Sequence, residues 1–291
     1  MLDSKVLNTD YDLAEMIDLC LPNLLDNADF KSGIINQRGQ DSYTGSASKN
    51  VYTIDRWSIN TNTANTLSVE EGYISCTLAD NGLLTQYIDS EISGAITCVI
   101  KLKDEDLKVV TVSEYSSENE WESLIYDFGE LETGLNVKVV KDISTINKWR
   151  LRFQNLSGSN KTLNIEYIKL EKGSVFTGMP QWDFALEWFK CQRYLYIVVN
   201  SSILNARYDG SNLCINFKTP MSFVNKPSII HNNAIFGVTS FNGSYENHNV
   251  SDFTVNTYDG GNINIIKPSS NPTRYGMAIV VNGFYLDAEI Y

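Results

Sequence analysis

Apolar residues recur along this chain with two different periods. Over residues 10–20 (DYDLAEMIDLC), Leu13, Ile17 and Cys20 or Leu21 fall at i, i+4 and i+7 or i+8, which predicts a short amphipathic helix. Asp10 is placed to cap it and Pro22 to stop it. A helix this short is marginal alone and needs a packing partner. From Leu24 to about Phe176 the period becomes two, in short extended runs separated by Gly, Asn and Ser. Ala95–Leu102 (AITCVIKL) is rich in β-branched residues and reads as a buried strand. Leu135–Val139 alternates. Trp149, Leu151 and Phe153 alternate with Arg150 and Arg152, the signature of a strand with one wet face. Asn164–Leu170 begins in alternation and changes phase near Tyr167 and Ile168, which places a β-bulge there.

Helical spacing returns between Pro180 and about Tyr196. Trp182, Leu186 and Phe189 lie at i, i+4 and i+7, and Trp188 and Leu195 form a second apolar side. This predicts a connecting helix packed by aromatics at a domain junction. Residues 197–291 revert to strands: Leu213, Ile215 and Phe217 alternate, and Asp259-Gly260-Gly261-Asn262 marks a turn before INIIK. Phe284, Leu286, Ala288 and Ile290 alternate with Tyr285, Asp287 and Glu289, which ties the end of the chain into a sheet. Many short strands between turn signals predict a mainly β protein. The N-terminal part lacks the Cys–Trp–Cys spacing of an immunoglobulin sandwich, and a jelly roll fits better. The expected organisation is an N-terminal helical segment for attachment or oligomerisation (1–22), a jelly-roll β-sandwich (23–178), a connecting helix (179–196) and a C-terminal β-sandwich or head domain (197–291).

Charge divides the chain unevenly. The net charge is −12, so nucleic acid, which selects basic surfaces, is not an expected partner. Residues 181–291 hold 7 Lys+Arg and 8 Asp+Glu, whereas the first 180 hold 16 and 27. The rear part also carries 15 Asn. A nearly neutral, amide-rich surface suits polar ligands such as glycans, although Asn also serves turns and solvated strand faces. The five cysteines form no CxxC pair, which argues against a disulfide framework or a zinc site and for small buried hydrophobes. Asp3, Asp10, Asp12 and Glu15 interrupt any signal-peptide core, and no apolar run reaches the roughly 18 residues of a membrane span. Membrane insertion is not expected.

Chemistry finds little purchase. The two histidines, His231 and His248, have no metal-ligand or nucleophile spacing, and no GxSxG, P-loop or GxGxxG is present. Glycosidases need two carboxylates about 5–9 Å apart. Asp104-Glu105-Asp106 and Glu118, Glu120 and Glu122 lie in hydrophilic stretches that read as solvated loops. Asp55 adjoins Arg56, and a structural ion pair outranks catalysis there. Asp26 and Asp29 are candidates for a structural calcium ion, the one cofactor considered.

Three segments carry a resemblance: NLLDNADF (23–30), NQRGQDSYTG (36–45) and YTIDRW (52–57). Together they resemble the opening of a carbohydrate-binding-module-like β-sandwich in tail fibre and receptor-binding proteins of phages, or tail-like particles, of Gram-positive, low-GC bacteria. IEYIKLE (165–171) with Gly173, Val175, Phe176 and Thr177 is similar to the closing strand of that sandwich, CQRYL (191–195) to the helix that follows, and Asp287-Ala288-Glu289 to the family's last strand. Met179-Pro180 departs from the family's charged or proline-rich link. The resemblance implies a homotrimer in the virion tail, held to other tail or baseplate proteins through residues 1–22, that binds a host cell-surface glycan without altering it.

The candidate ligand residues are Tyr208, Asn212, Asn233, Phe241, Asn242, Tyr245 and Asn247 in the C-terminal part, where polar loops combine aromatic faces with amides. Arg38 and Tyr43 are candidates to line a groove in the sandwich, with Trp57 in its core. Two other readings stand beside this one. A polysaccharide-cleaving tailspike would be expected to show long β-helix repeats, and none is visible. A purely structural tail or baseplate protein would bind no cells.

Overall fold

The computed structural model describes residues 20–88, 91–103, 110–116, 123–127, 130–146, 149–199, 202–208, 211–220, 222–223, 226–231, 234–240, 245–259, 262–268 and 275–288. The chain divides into two units, Met1–Glu187 and Trp188–Tyr291. Residues 10–19 of the helix expected over 10–20 lie outside the described residues.

Among the described residues, twelve strands build the first unit: β1 (Ser42–Thr44), β2 (Val51–Tyr52), β3 (Ser58–Ile59), β4 (Thr66–Glu70), β5 (Tyr73–Leu78), β6 (Leu83–Ile88), β7 (Ile92–Leu102), β8 (Val110–Ser116), β9 (Ser123–Asp127), β10 (Gly134–Ile146), β11 (Trp149–Asn155) and β12 (Lys161–Lys172). They form two antiparallel sheets, ordered β1-β4-β5-β12-β7-β10 and β2-β3-β6-β11-β8-β9. Successive strands from β5 to β10 alternate or pair between the sheets so that β5-β12-β7-β10 faces β6-β11-β8-β9. That interleaving of two Greek keys is the jelly roll expected from the sequence. Ile74, Cys76, Leu78, Ile96, Cys98, Ile100, Leu151, Phe153, Leu163 and Ile165 meet in one core.

The phase change in β12 is a bulge. Its register against β7 shifts between Ile165 and Tyr167. Before it, Leu163 and Ile165 face the core; after it, Ile168 and Leu170 do. Without the extra residue, Lys169 and Glu171 would be driven into the apolar core. The edge strand β10 also alternates, but in the opposite sense to an inward apolar set: Leu135 and Val137 are exposed, and Asn136 is buried. Asn136 holds both the backbone N–H and the carbonyl of Glu132 through its side chain, and this loop bond fixes the phase of the strand.

Lys169 and Glu171 face outward but are completely buried, because the two ends of the sandwich cross over them. Lys169 Nζ donates to Glu171 Oε2 at 2.8 Å, to Thr177 Oγ1 at 2.9 Å and to the carbonyl of Gly178. Glu171 Oε1 accepts from the backbone N–H of Thr177 at 3.0 Å, and its Oε2 from the Thr177 hydroxyl. On the incoming side, the N–H of Leu21 donates to Thr177 Oγ1 at 2.9 Å and Cys20 Sγ to the Gly178 carbonyl at 3.2 Å. The incoming chain then runs beside β12, with Leu24 N–H on Leu170 O and Ile168 N–H on Ala28 O, each at 2.8 Å. Trp182 lies over Gly33 so closely that an added Cβ would meet its ring at 2.3 Å.

Helix α1 (Phe184–Gln192) follows, capped by Asp183, whose Oδ1 accepts from Leu186 N–H at 3.1 Å. It is shorter than the 179–196 expected, because Leu195–Val198 is drawn into a sheet as β13. Leu186 and Phe189 of the expected apolar stripe are exposed, as is Phe184. The second unit adds β14 (Ile203–Tyr208), β15 (Asn212–Lys218), β16 (Ser228–His231), β17 (Ile235–Ser240), β18 (Tyr245–Asn249), β19 (Thr254–Asp259), β20 (Asn262–Pro268), β21 (Tyr275–Val281) and β22 (Phe284–Asp287). A seven-stranded sheet, β18-β17-β21-β14-β15-β20-β19, and a three-stranded one, β13-β22-β16, share one core. Phe236 lies at its centre, 4.9 Å from Phe253 and 5.4 Å from Phe284 between ring centroids. The expected C-terminal strand is β22, central in its sheet.

The buried ion pair makes one test. Lys169→Met alone strands the Glu171 carboxylate in a dry site and should lower stability by about 3–5 kcal/mol, whereas Lys169→Met with Glu171→Leu should recover most of that loss. Urea unfolding measures both; equal losses in the single and double variants would show that the charges are not coupled.

Candidate functional site

The motif-rich segments of the first unit are bonded to one another. Asn27 donates through Nδ2 to the carbonyls of Ile35 at 2.8 Å and Asp55 at 2.9 Å, and accepts from Ile35 N–H at 2.7 Å. Trp57 Nε1 donates to Asn27 O at 2.9 Å. Asp55 is fully buried and accepts from the Gln37 backbone N–H at 3.0 Å and from its side-chain amide. Arg56 occupies the left-handed region at φ 72°, a strained position for a residue with a Cβ. Its buried guanidinium donates to Asp26 Oδ2 at 3.2 Å and to Tyr87 O. These residues join three loops of the jelly roll into one polar scaffold.

That bonding relocates several candidates. Tyr43, expected to line a groove, is buried in the core and donates its hydroxyl to Asn36. Burial pushes its phenol up to about 12. Arg38 turns toward Asp55, 3.9 Å away, and lies over the Tyr52 ring. Of the two calcium candidates, Asp26 is engaged by Arg56, and Asp29 Oδ1 accepts from Ser32 N–H at 3.2 Å. Both meet protein donors. Among the described residues, no group of three or more His, Cys, Asp or Glu is placed to hold a metal ion. The five cysteines are thiols and not paired in disulfides.

A different arrangement stands out in the second unit. Asn205, Asn216 and Asn264 are opposite one another in register on β14, β15 and β20. The residues between them explain why. Leu204, Ala206, Leu213, Ile215, Ile263 and Ile265 fill the core, so the intervening asparagines take the other face. Cross-strand neighbours share a face at a spacing of about 4.8 Å, so the three amides form a row across the strands. Lys218 and Asn262 are the next such pair, two residues along. These side chains, with the chain at Phe217 and Ile263, line a concavity of about 460 Å³. The Phe217 ring packs against Phe284 instead, at 6.3 Å. Asn264 Oδ1 is sheltered and meets no protein donor.

The expected ligand residues distribute unevenly around this groove. Asn212 lies on β15, four residues from Asn216, opposite Pro268. The row of Asn205 continues through Met277 and Thr239 to Tyr245. Asn247 is exposed and stands opposite Gly237, two residues from that row. Tyr208 stands opposite Leu213. Asn233, Phe241 and Asn242 lie outside the described residues. Asn205, Asn216, Asn262 and Asn264 were not among the expected residues. For Asn216, Asn262 and Asn264 the signal was asparagine on the non-core positions of an apolar strand, in NLCIN and NIN; Asn205 lies in ILNAR.

No family model and no curated protein matches this chain. Among solved structures it is similar to the adhesin domain of Epf from Streptococcus pyogenes, at 10% identity over 92% of this chain and 97% of that one, with a TM-score of 0.29. Vicilin from Solanum lycopersicum matches at 12% identity over 75% and 81%, with a TM-score of 0.15. A Bacillus subtilis oxalate decarboxylase mutant matches at 10% identity over 90% and 80%, with a TM-score of 0.12. Likenesses at these scores carry no argument about fold or activity, and no enzyme family is matched.

The placement of Tyr43 can be checked by alkaline titration. Subtracting the Tyr43→Phe curve from that of the parent should leave one phenol titrating near 12. Because burial raises the value, this group's contribution to stability is complete below pH 10 and is lost as the pH climbs toward 12. A difference curve centred near pH 10 would put the ring in solvent.

Proposed function

We propose that this chain is a non-catalytic receptor-binding protein of a phage tail or tail-like particle, which attaches the particle to a saccharide of the host cell surface. The observation that carries the reading is the amide-lined groove of the second unit. Each asparagine side chain offers one acceptor and two donors, which matches the paired donor and acceptor character of sugar hydroxyls. The groove is shallow, and single saccharide contacts of this kind are weak. Linked copies gain avidity with no new contact, which is the physical advantage of the homotrimer that the sequence resemblance implies. The motif-bearing residues of the first unit fit a scaffold role, held to other tail or baseplate proteins through residues 1–22.

Attachment of the labelled protein to a panel of low-GC Gram-positive bacteria tests this. The parent should bind some strains, and Asn216→Ala and Asn264→Ala should each weaken binding by about 1 kcal/mol, about fivefold per site. Attachment that is unchanged in both variants would remove the groove from the account, and no attachment to any strain would favour a structural tail component.

A further inference from the structure

We propose that the groove takes an acidic saccharide, with Asn205, Asn216 and Asn264 meeting its hydroxyls, Lys218 at one end of the row meeting a carboxylate or phosphate, and Arg207, beyond the other end, meeting an acid group on a neighbouring sugar unit. This rests on the saccharide reading above and adds the charge of the ligand.

The register supplies the argument. Arg207 lies two residues from Asn205 on the same face of β14, opposite Cys214. Lys218 lies two residues from Asn216 on β15, opposite Asn262. Because β14 and β15 are antiparallel, these two steps run in opposite directions along the sheet. The cations therefore bracket the amide row, each about 7 Å from it. Both are exposed, and among the described residues neither makes an ion pair. Lys267, by contrast, is held by Asp252 at 2.9 Å. The described side chains on this face of β14, β15 and β20 include no carboxylate. Among the acids that the described strand pairings place on this face, Asp259 stands opposite Asn262 on β19; Asp209, two residues beyond Arg207, lies outside the described residues.

Two cations that meet no acid among the described residues, on either side of a row of neutral amides, favour a local positive potential in a chain whose net charge is −12. A neutral sugar would use only the amides. A sugar unit carrying an acid group would use both, and the groove volume of about 460 Å³ falls within the ordinary range for a small-ligand site. The charge-assisted contact is the stronger of the two kinds, so it should decide which saccharides are retained.

The experiment is direct binding of the whole chain to matched oligosaccharide pairs. One set carries uronic acids, with the carboxyl-reduced forms as controls. The other carries phosphate, with the dephosphorylated forms. Acidic members of one set should bind about tenfold more tightly than their neutral counterparts, and the set that binds identifies the acid. The double variant Lys218→Gln/Arg207→Gln should lose that preference and its sensitivity to salt, whereas Asn216→Ala should weaken acidic and neutral members alike. Asp259→Asn should leave the preference intact or raise it. Equal or tighter binding of neutral members, still weakened by Asn216→Ala, would overturn the acidic ligand and keep the saccharide reading. Binding of no member by the parent would overturn both.

Discussion

Leu204, Leu213, Ile215, Ile263 and Ile265 must reach Phe236 and Phe284, and that demand sets the register of β14, β15 and β20. Every other position on those strands is thereby assigned to the opposite face, which is how Asn205, Asn216 and Asn264 come to stand in one row. The same constraint governs the first unit. There the sequence of β12 would send Lys169 and Glu171 inward, and one inserted residue, Glu166, reverses the phase. A groove in one unit and a buried ion pair in the other are thus consequences of a single rule: a side chain's neighbours on its own strand decide its face.

The two units use polar residues in opposite ways. In the first, Asn27, Asp55, Arg56 and Gln37 are shielded from water and bonded to one another and to backbone, so their chemistry is consumed in holding loops. In the second, asparagines lie along an open face with hydrogen-bonding capacity to spare, and Asn264 has an acceptor with no protein donor. The segments that look most like a motif are therefore scaffold, and the groove is built from residues that look like ordinary strand surface. A motif marks a set of residues that depend on one another, and such dependence is as natural to a folding constraint as to a ligand site.

Much of the architecture was legible in the chain. Alternation located the strands around Leu151 and Leu213, and the broken alternation after Ile165 located the bulge. Position within a sheet was not legible. Tyr43 sits among polar residues and reads as a loop, yet β1 is an edge strand whose central residue alone points inward. Leu135 and Val137 alternate as an inward set would, but the bond between Asn136 and Glu132 turns them out. Helical spacing runs through Leu195, yet pairing with β22 claims that residue for a strand. Asn216 and Asn264 lie 48 positions apart, and nothing local says that β15 and β20 are neighbours.

The clamp at Lys169 has a mechanical side. The chain passes into the sandwich at Cys20 and Leu21 and out of it at Thr177 and Gly178, and those two points are bonded to each other directly and through the same lysine. Farther along, the outgoing chain is tied to the first unit again, by Trp182 over Gly33 and by Glu187 Oε2, which accepts from the Asn27 N–H at 2.9 Å. A pull from the second unit would thus load these outer ties before the knot, and the sheets of the jelly roll bear force only after both have parted.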